Sequence, residues 1–138
     1  MFADKKILFL FAHMDDETIS SYGTIRRAAD EGADIVVCCA CGLGRAKGEG
    51  QDIRRAIFGR YGRFAKTVVR CTRYEDLSLT ERTAQNVFDD AVKTYNPDIV
   101  VTHWTGDLHF EHRLLGRASL VSCRRAPGCP VKQLWHVS

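Results

Sequence analysis

The feature that most constrains this chain is an alternation of five short apolar runs with four stretches of helical spacing. Residues 6–12 (KILFLFA) form an apolar run that stops at His13, and residues 33–41 (ADIVVCCAC), 67–71, 98–103 (DIVVTH) and 131–137 repeat the theme. Runs without a wet face are what strands of a parallel sheet need, because helices cover such a sheet on both sides. Between them, residues 17–31 place Ile19, Tyr22, Ile25, Ala28 and Ala29 at helical spacing, with Gly32 as the stop. Ile53, Ala56, Ile57, Tyr61 and Phe64 form a second stripe. Ser78 and Glu81 have the spacing of a capping box opening a third helix, with Leu79, Thr83, Val87, Phe88, Ala91 and Tyr95 inward and Asn96-Pro97 at its end. Residues 111–125 form the fourth, stopped by Pro127-Gly128.

This pattern predicts an α/β fold: a Rossmann-like three-layer α/β/α arrangement with a mostly parallel sheet, right-handed crossovers and strand order 3-2-1-4-5. The 138 residues suffice for a single domain, 1–138, and show no repeat or linker. No apolar run approaches the roughly 18 residues of a membrane-spanning helix, so no membrane segment is expected and the expected compartment is the cytoplasm. There the six cysteines stay reduced, and Cys38, Cys39 and Cys41, which lie in an apolar strand-like run, are read as buried structural residues.

In an open parallel sheet of this order, ligands bind at the carboxyl ends of the strands, beside the point where strand order reverses. Strands one and four are neighbours there, and the polar residues concentrate at their ends. His13, Asp15, Asp16 and Glu17 follow strand one; His103, Asp107, His109, Glu111 and His112 lie at or after the end of strand four. His13-x-x-Asp16 on a strand-to-helix turn aims an imidazole and a carboxylate at one point. A third ligand from the strand-four loop completes a two-histidine, one-carboxylate set of the kind that holds catalytic zinc with a position open for water. Asp15 is the nearest free carboxylate for a general base. The competing reading is that Asp15 and Asp16 only cap the following helix.

The stretch Ala12-His13-Met14-Asp15-Asp16-Glu17 resembles the AHPDDE signature of the PIG-L/LmbE-like N-acetylglucosaminyl deacetylases, and Asp107-Leu108-His109-Phe110-Glu111-His112-Arg113 resembles their second motif, D-x-H-P-D-H-R. The likeness extends to Gly23, Arg54-Arg55, Tyr74-Glu75-Asp76 and Pro97 to Val101, nearly the whole chain. It implies that His13, Asp16 and His112 hold Zn2+, or another divalent metal such as Fe2+, and that Asp15 is the catalytic base. It implies that His109 stabilises the oxyanion or protonates the departing amine, that Arg54 and Asp76 bind substrate, and that Asp107, Glu111 and Arg113 order the site. The implied partner is a small N-acetylated amino sugar or glycoconjugate.

Two departures shape the expectation. Met14 stands where the motif has proline, so packing has to hold the His13–Asp16 turn. Glu111 stands where it has aspartate, a longer carboxylate suited to hydrogen-bonding behind a ligand. Family members also extend past a fifth strand, which implies a fragment or a minimal form. A related metal-dependent amidase and an inactive Rossmann-like binding module are the alternatives to a de-N-acetylase. The stretch from Arg45 to Arg73 carries nine Lys/Arg against two acids, and a glycine-punctuated loop runs from Gly42 to Gly50 without a Gly-Lys-Ser/Thr ending. The first is read as a solvated face and the second as no phosphate loop; no nucleic acid partner is expected.

Overall fold

The computed structural model describes residues 1–43 and 49–138, so Gly44, Arg45, Lys47 and Gly48 of the glycine-rich and basic stretch lie outside the described residues. The elements run β1 (Lys6–Phe11), α1 (Asp16–Asp30), β2 (Asp34–Cys39), α2 (Glu49–Gly59), a 3-10 turn (Arg60–Arg63), β3 (Thr67–Cys71), α3 (Glu81–Tyr95), β4 (Ile99–His103), α4 (Phe110–Ser122) and β5 (Gln133–Val137). The sheet has order β3-β2-β1-β4-β5, with every neighbouring pair parallel. Expected fold class and strand order are both realised.

Alternation along the strands assigns side chains to two cores. Ile7, Phe9 and Phe11 of β1 join Val37, Cys39 and Val101 beneath Ile25, Ala28 and Ala29 of α1 and Phe58 and Tyr61 after β2. Leu8 and Leu10 join Val100 beneath Val87, Phe88 and Ala91 of α3 and Leu115 and Ala118 of α4. Both faces of β1 are therefore buried, which is why its sequence has no polar alternation.

Three local expectations are corrected. The α3 capping box is Thr80 with Thr83, each side chain bonded to the other's backbone N–H, not Ser78 with Glu81. The N–H groups of Leu77 and Leu79 are both donated to Glu111, which keeps the chain non-helical until Thr80. On α1 the inward residues are Glu17, Ser21, Ile25, Ala28 and Ala29, while Ile19 is 81% exposed and Tyr22 half exposed. That helix is rolled so that its acidic first turn faces the end of the sheet. In the α2 region Phe58 and Tyr61 are the buried residues, with Ile53 and Ile57 exposed.

All six cysteines are unpaired. Cys38 and Cys41 do share a Cys-x-x-Cys spacing. Along a nearly extended chain this places them roughly 10 Å apart, beyond the reach of a disulfide.

Candidate metal centre

β1 ends at Phe11, and the turn to α1 is built by its own side chains. Asp16 Oδ2 accepts from the His13 N–H at 2.9 Å, and Glu17, 1% exposed, accepts from the Asp15 N–H at 3.1 Å. Met14 is buried in the α1/α2 core and anchors the turn where proline is missing. Asp15 takes φ 131°, a conformation that costs a non-glycine residue about 1–3 kcal/mol and recurs at functional sites. Although Asp15 occupies the N-cap position of α1, its side chain makes no capping bond and lies 3.6 Å from Arg54 Nε instead. The capping reading does not describe Asp15.

The second cluster comes from the β4–α4 loop. His109 is the N-cap of α4, its Nδ1 accepting from the Glu111 N–H at 3.1 Å, which places the proton on Nε2. Asp107 accepts from the His109 N–H at 3.0 Å, and Arg113 donates to the carbonyls of Asp107 and Leu108. The two clusters meet. His13 Nδ1, Asp16 Oδ2 and His112 Nε2 form a triangle with sides of 3.3, 3.1 and 3.3 Å.

That triangle tests whether the donors suit a metal. Ligands about 2.0–2.1 Å from a tetrahedral ion stand roughly 3.3 Å apart, which matches all three sides. Of the two outer nitrogens, one is firmly held. His13 Nε2 donates to Glu111 Oε1 at 2.8 Å, leaving the Nδ1 lone pair facing the triangle. His112 Nδ1 lies 3.2 Å from Asp107 Oδ1, close but poorly aligned, so this buried nitrogen has no good hydrogen bond. The three side chains are only 12–16% exposed.

Electrostatics points the same way. Burial opposes ionisation of Asp16, but the imidazoles of His103, His112 and His13 gathered around it hold its carboxyl well below the usual range. Burial likewise opposes charging of His13, yet hydrogen bonds to Asp16, Cys41 and Glu111 push it up to about 11. The cluster thus draws a positive charge to its centre, as a proton or as a metal ion. Burial and the adjacent Asp16 raise the Asp15 carboxyl, with Arg54 opposing. Burial, then His13 and His112, lower His109 and keep it neutral at neutral pH.

The remaining expected residues also gather here. Arg54 pairs with Asp15, and ligating atoms of Asp76, Cys41 and His13 lie within 4.8 Å of one another. Glu111 is 0% exposed and accepts from Leu77, Leu79, His13 and, at 3.7 Å, the Cys41 thiol. Sequence reasoning gave two participants no role at the site: Cys41, read only as a core thiol, and His103, counted among the polar residues at the end of strand four but assigned no function. His103 is 4% exposed, stacks on His112 at 3.7 Å and lies 3.4 Å from Asp16 Oδ2. A histidine ending a strand that feeds the switch point was the available signal.

The fold and this cluster define a Rossmann-like α/β protein with a two-imidazole, one-carboxylate centre where its strand order reverses. The family model described as GlcNAc-PI de-N-acetylase matches residues 8–122, and the chain belongs to that family, PIG-L. Over 55 residues it is 49% identical to 1D-myo-inositol 2-acetamido-2-deoxy-alpha-D-glucopyranoside deacetylase of Rhodococcus erythropolis, a match covering 40% of this chain and 17% of that protein. The fold is shared with the N,N'-diacetylchitobiose deacetylase of Pyrococcus horikoshii (TM-score 0.69, 22% identity, 91% of this chain, 52% of that one). It is also shared with a conserved protein of Thermus thermophilus (TM-score 0.76, 20% identity, 96% and 66%). The chain therefore spans about half the length of the Pyrococcus enzyme.

Proposed function

We propose that this chain carries a zinc-dependent de-N-acetylase site that removes the acetyl group from an N-acetylated amino sugar, free or in a glycoconjugate. The observation that carries the reading is the triangle of His13 Nδ1, Asp16 Oδ2 and His112 Nε2, with Asp15 beside it and not part of it. Membership of the family and the relatives named for deacetylation support the choice of amide.

Zinc held by those three atoms supplies Lewis acidity towards the amide carbonyl and lowers the pKa of water to about 7; Fe2+ suits the same donors. Asp15 takes a proton from the attacking water, its raised carboxyl lying closer to the range a general base needs. The same carboxyl then delivers that proton to the departing amine. His109 donates its Nε2–H to the developing oxyanion, a role suited to a neutral imidazole whose other nitrogen is fixed by the helix start. Arg54 orients Asp15, and the proximity of Asp76 to His13 and Cys41 supports a role for it in binding sugar hydroxyls. No helix among the described residues is long and apolar enough to cross a membrane. Six unpaired thiols support a reducing, cytoplasmic setting.

The test pairs metal analysis with acetate release on N-acetylglucosamine-type substrates. His13→Ala and His112→Ala lose about one metal per chain. Asp15→Asn keeps the metal and loses roughly 10²- to 10⁴-fold in turnover, whereas Asp16→Asn loses metal. Zinc retained without acetate release from any amide would make the chain a binding module. Release from other amides only would make it a related amidase.

A further inference from the structure

β1 and β4 pair from Ile7↔Ile99 to Phe9↔Val101 and then separate, which opens the crevice at the switch point. Beyond that rung, two β4 side chains take over the backbone groups of β1 that the ladder leaves. Thr102 Oγ1 donates to the Leu10 carbonyl at 2.6 Å, and the Ala12 N–H donates to His103 Nε2 at 2.9 Å. Ala12 is the residue before His13, so this bond sets where His13 leaves the sheet. The His103 ring also lies flat on His112, with centroids 3.7 Å apart and planes 8° apart, and its position is fixed by an edge contact with Phe11. α4 can come this close because of Gly116: a Cβ there would stand 2.7 Å from the His103 carbonyl oxygen. His112 lies one turn earlier on that helix.

We propose that His103 is a positioning residue for the metal triad, holding the start of the His13 turn through Ala12 and the plane of the His112 ring through stacking. The inference rests on the zinc reading of His13, Asp16 and His112. His103 is not itself a ligand, because its Nε2 lone pair is spent on the Ala12 N–H. Side chains that orient metal ligands are worth roughly 10- to 100-fold in metal affinity. Two changes separate the two contacts. In His103→Gln the amide oxygen restores the acceptor for Ala12 but not the ring. In His103→Phe the ring is restored but not the acceptor.

The experiment titrates zinc into chelator-stripped protein against a competing chromophoric chelator, with circular dichroism of the metal-free forms alongside. Wild type and His112→Ala are the references. In His103→Ala, zinc binds about 10- to 100-fold more weakly at unchanged stoichiometry. His103→Gln and His103→Phe each recover part of the loss, and the visible spectrum of the cobalt-substituted His103→Ala protein shifts as the His112 ring reorients. Affinity within about threefold of wild type in His103→Ala, with only the metal-free melting temperature lowered, overturns the proposal and leaves His103 a strand-end residue. If His103→Ala fails to fold, the same threefold criterion applied to both His103→Gln and His103→Phe decides. Complete loss of zinc in His103→Ala, as in His112→Ala, would make it a ligand and also overturn the proposal. A wild-type protein that holds no zinc would instead remove the metal reading itself.

Discussion

Glu111→Gln is the substitution whose effect the structure specifies most fully. Glu111 Oε1 accepts from the Leu77 N–H at 2.7 Å and from His13 Nε2 at 2.8 Å, and Oε2 accepts from the Leu79 N–H at 2.9 Å and the Cys41 thiol at 3.7 Å. A carboxylate satisfies all four donors. A glutamine amide presents one acceptor and one donor, so either Leu77 and His13 or Leu79 and Cys41 face an NH2 group. One buried backbone N–H left unpaired costs about 1–3 kcal/mol, and the bonds kept lose their charge assistance, for a total of about 2–5 kcal/mol. That is a large share of the roughly 5–15 kcal/mol that holds a domain folded. Urea unfolding of the metal-free protein at neutral pH measures it. A destabilisation below about 0.5 kcal/mol would refute the assignment of Glu111 as the clamp between the β3–α3 segment and His13.

The pH dependence has a definite sign. Burial opposes ionisation of Glu111, but hydrogen bonds from His13, Leu79 and Leu77 lower its carboxyl below the ordinary value of 4.5. Its contribution is present above that value and is lost as pH falls through the lowered one, so the Glu111→Gln deficit shrinks below about pH 4.5. The raised His13 works in the opposite sense. Its contribution is present below the ordinary 6.5 and is lost as pH rises through about 11, and removing Glu111 flattens that alkaline limb.

Two further outcomes test the packing around the site. Gly116→Ala lowers the melting temperature even though alanine favours a helix by about 1 kcal/mol, since the new methyl meets the His103 carbonyl at 2.7 Å and backbone atoms of Thr105 at 3.1–3.2 Å; a raised melting temperature would show that α4 moves away freely. Limited alkylation of the native protein at neutral pH, read by peptide mass mapping, labels Cys71 before Cys38 and Cys123, with all six thiols reacting after denaturation without reductant. Cys71 is exposed and its thiol is lowered by the Cys39 thiol and Arg55, whereas burial pushes Cys38 and Cys123 up to about 12; early labelling of either buried thiol would contradict this.

What the sequence alone determined were the properties that local spacing encodes. Five apolar runs and four helical stripes require a covered parallel sheet, and the polar residues after strands one and four mark its carboxyl edge. His13-x-x-Asp16 and Asp107-x-His109-x-x-His112 each sit within one turn, so which residues gather there was legible from neighbours in the chain. The roll of α1 was not, because Ile19 and Glu17 both lie on plausible stripes. Only the space at the end of the sheet decides that Glu17 goes in and Ile19 stays out. Nor was the start of α3, which waits on Glu111 more than thirty residues away. His103 and Cys41 joined the site for the same reason. A buried polar group is held by whichever donor or acceptor the fold brings to it, and His103 meets Ala12 across 91 residues of chain. Such partners have no period or spacing in sequence; they exist only once β1 and β4 are side by side.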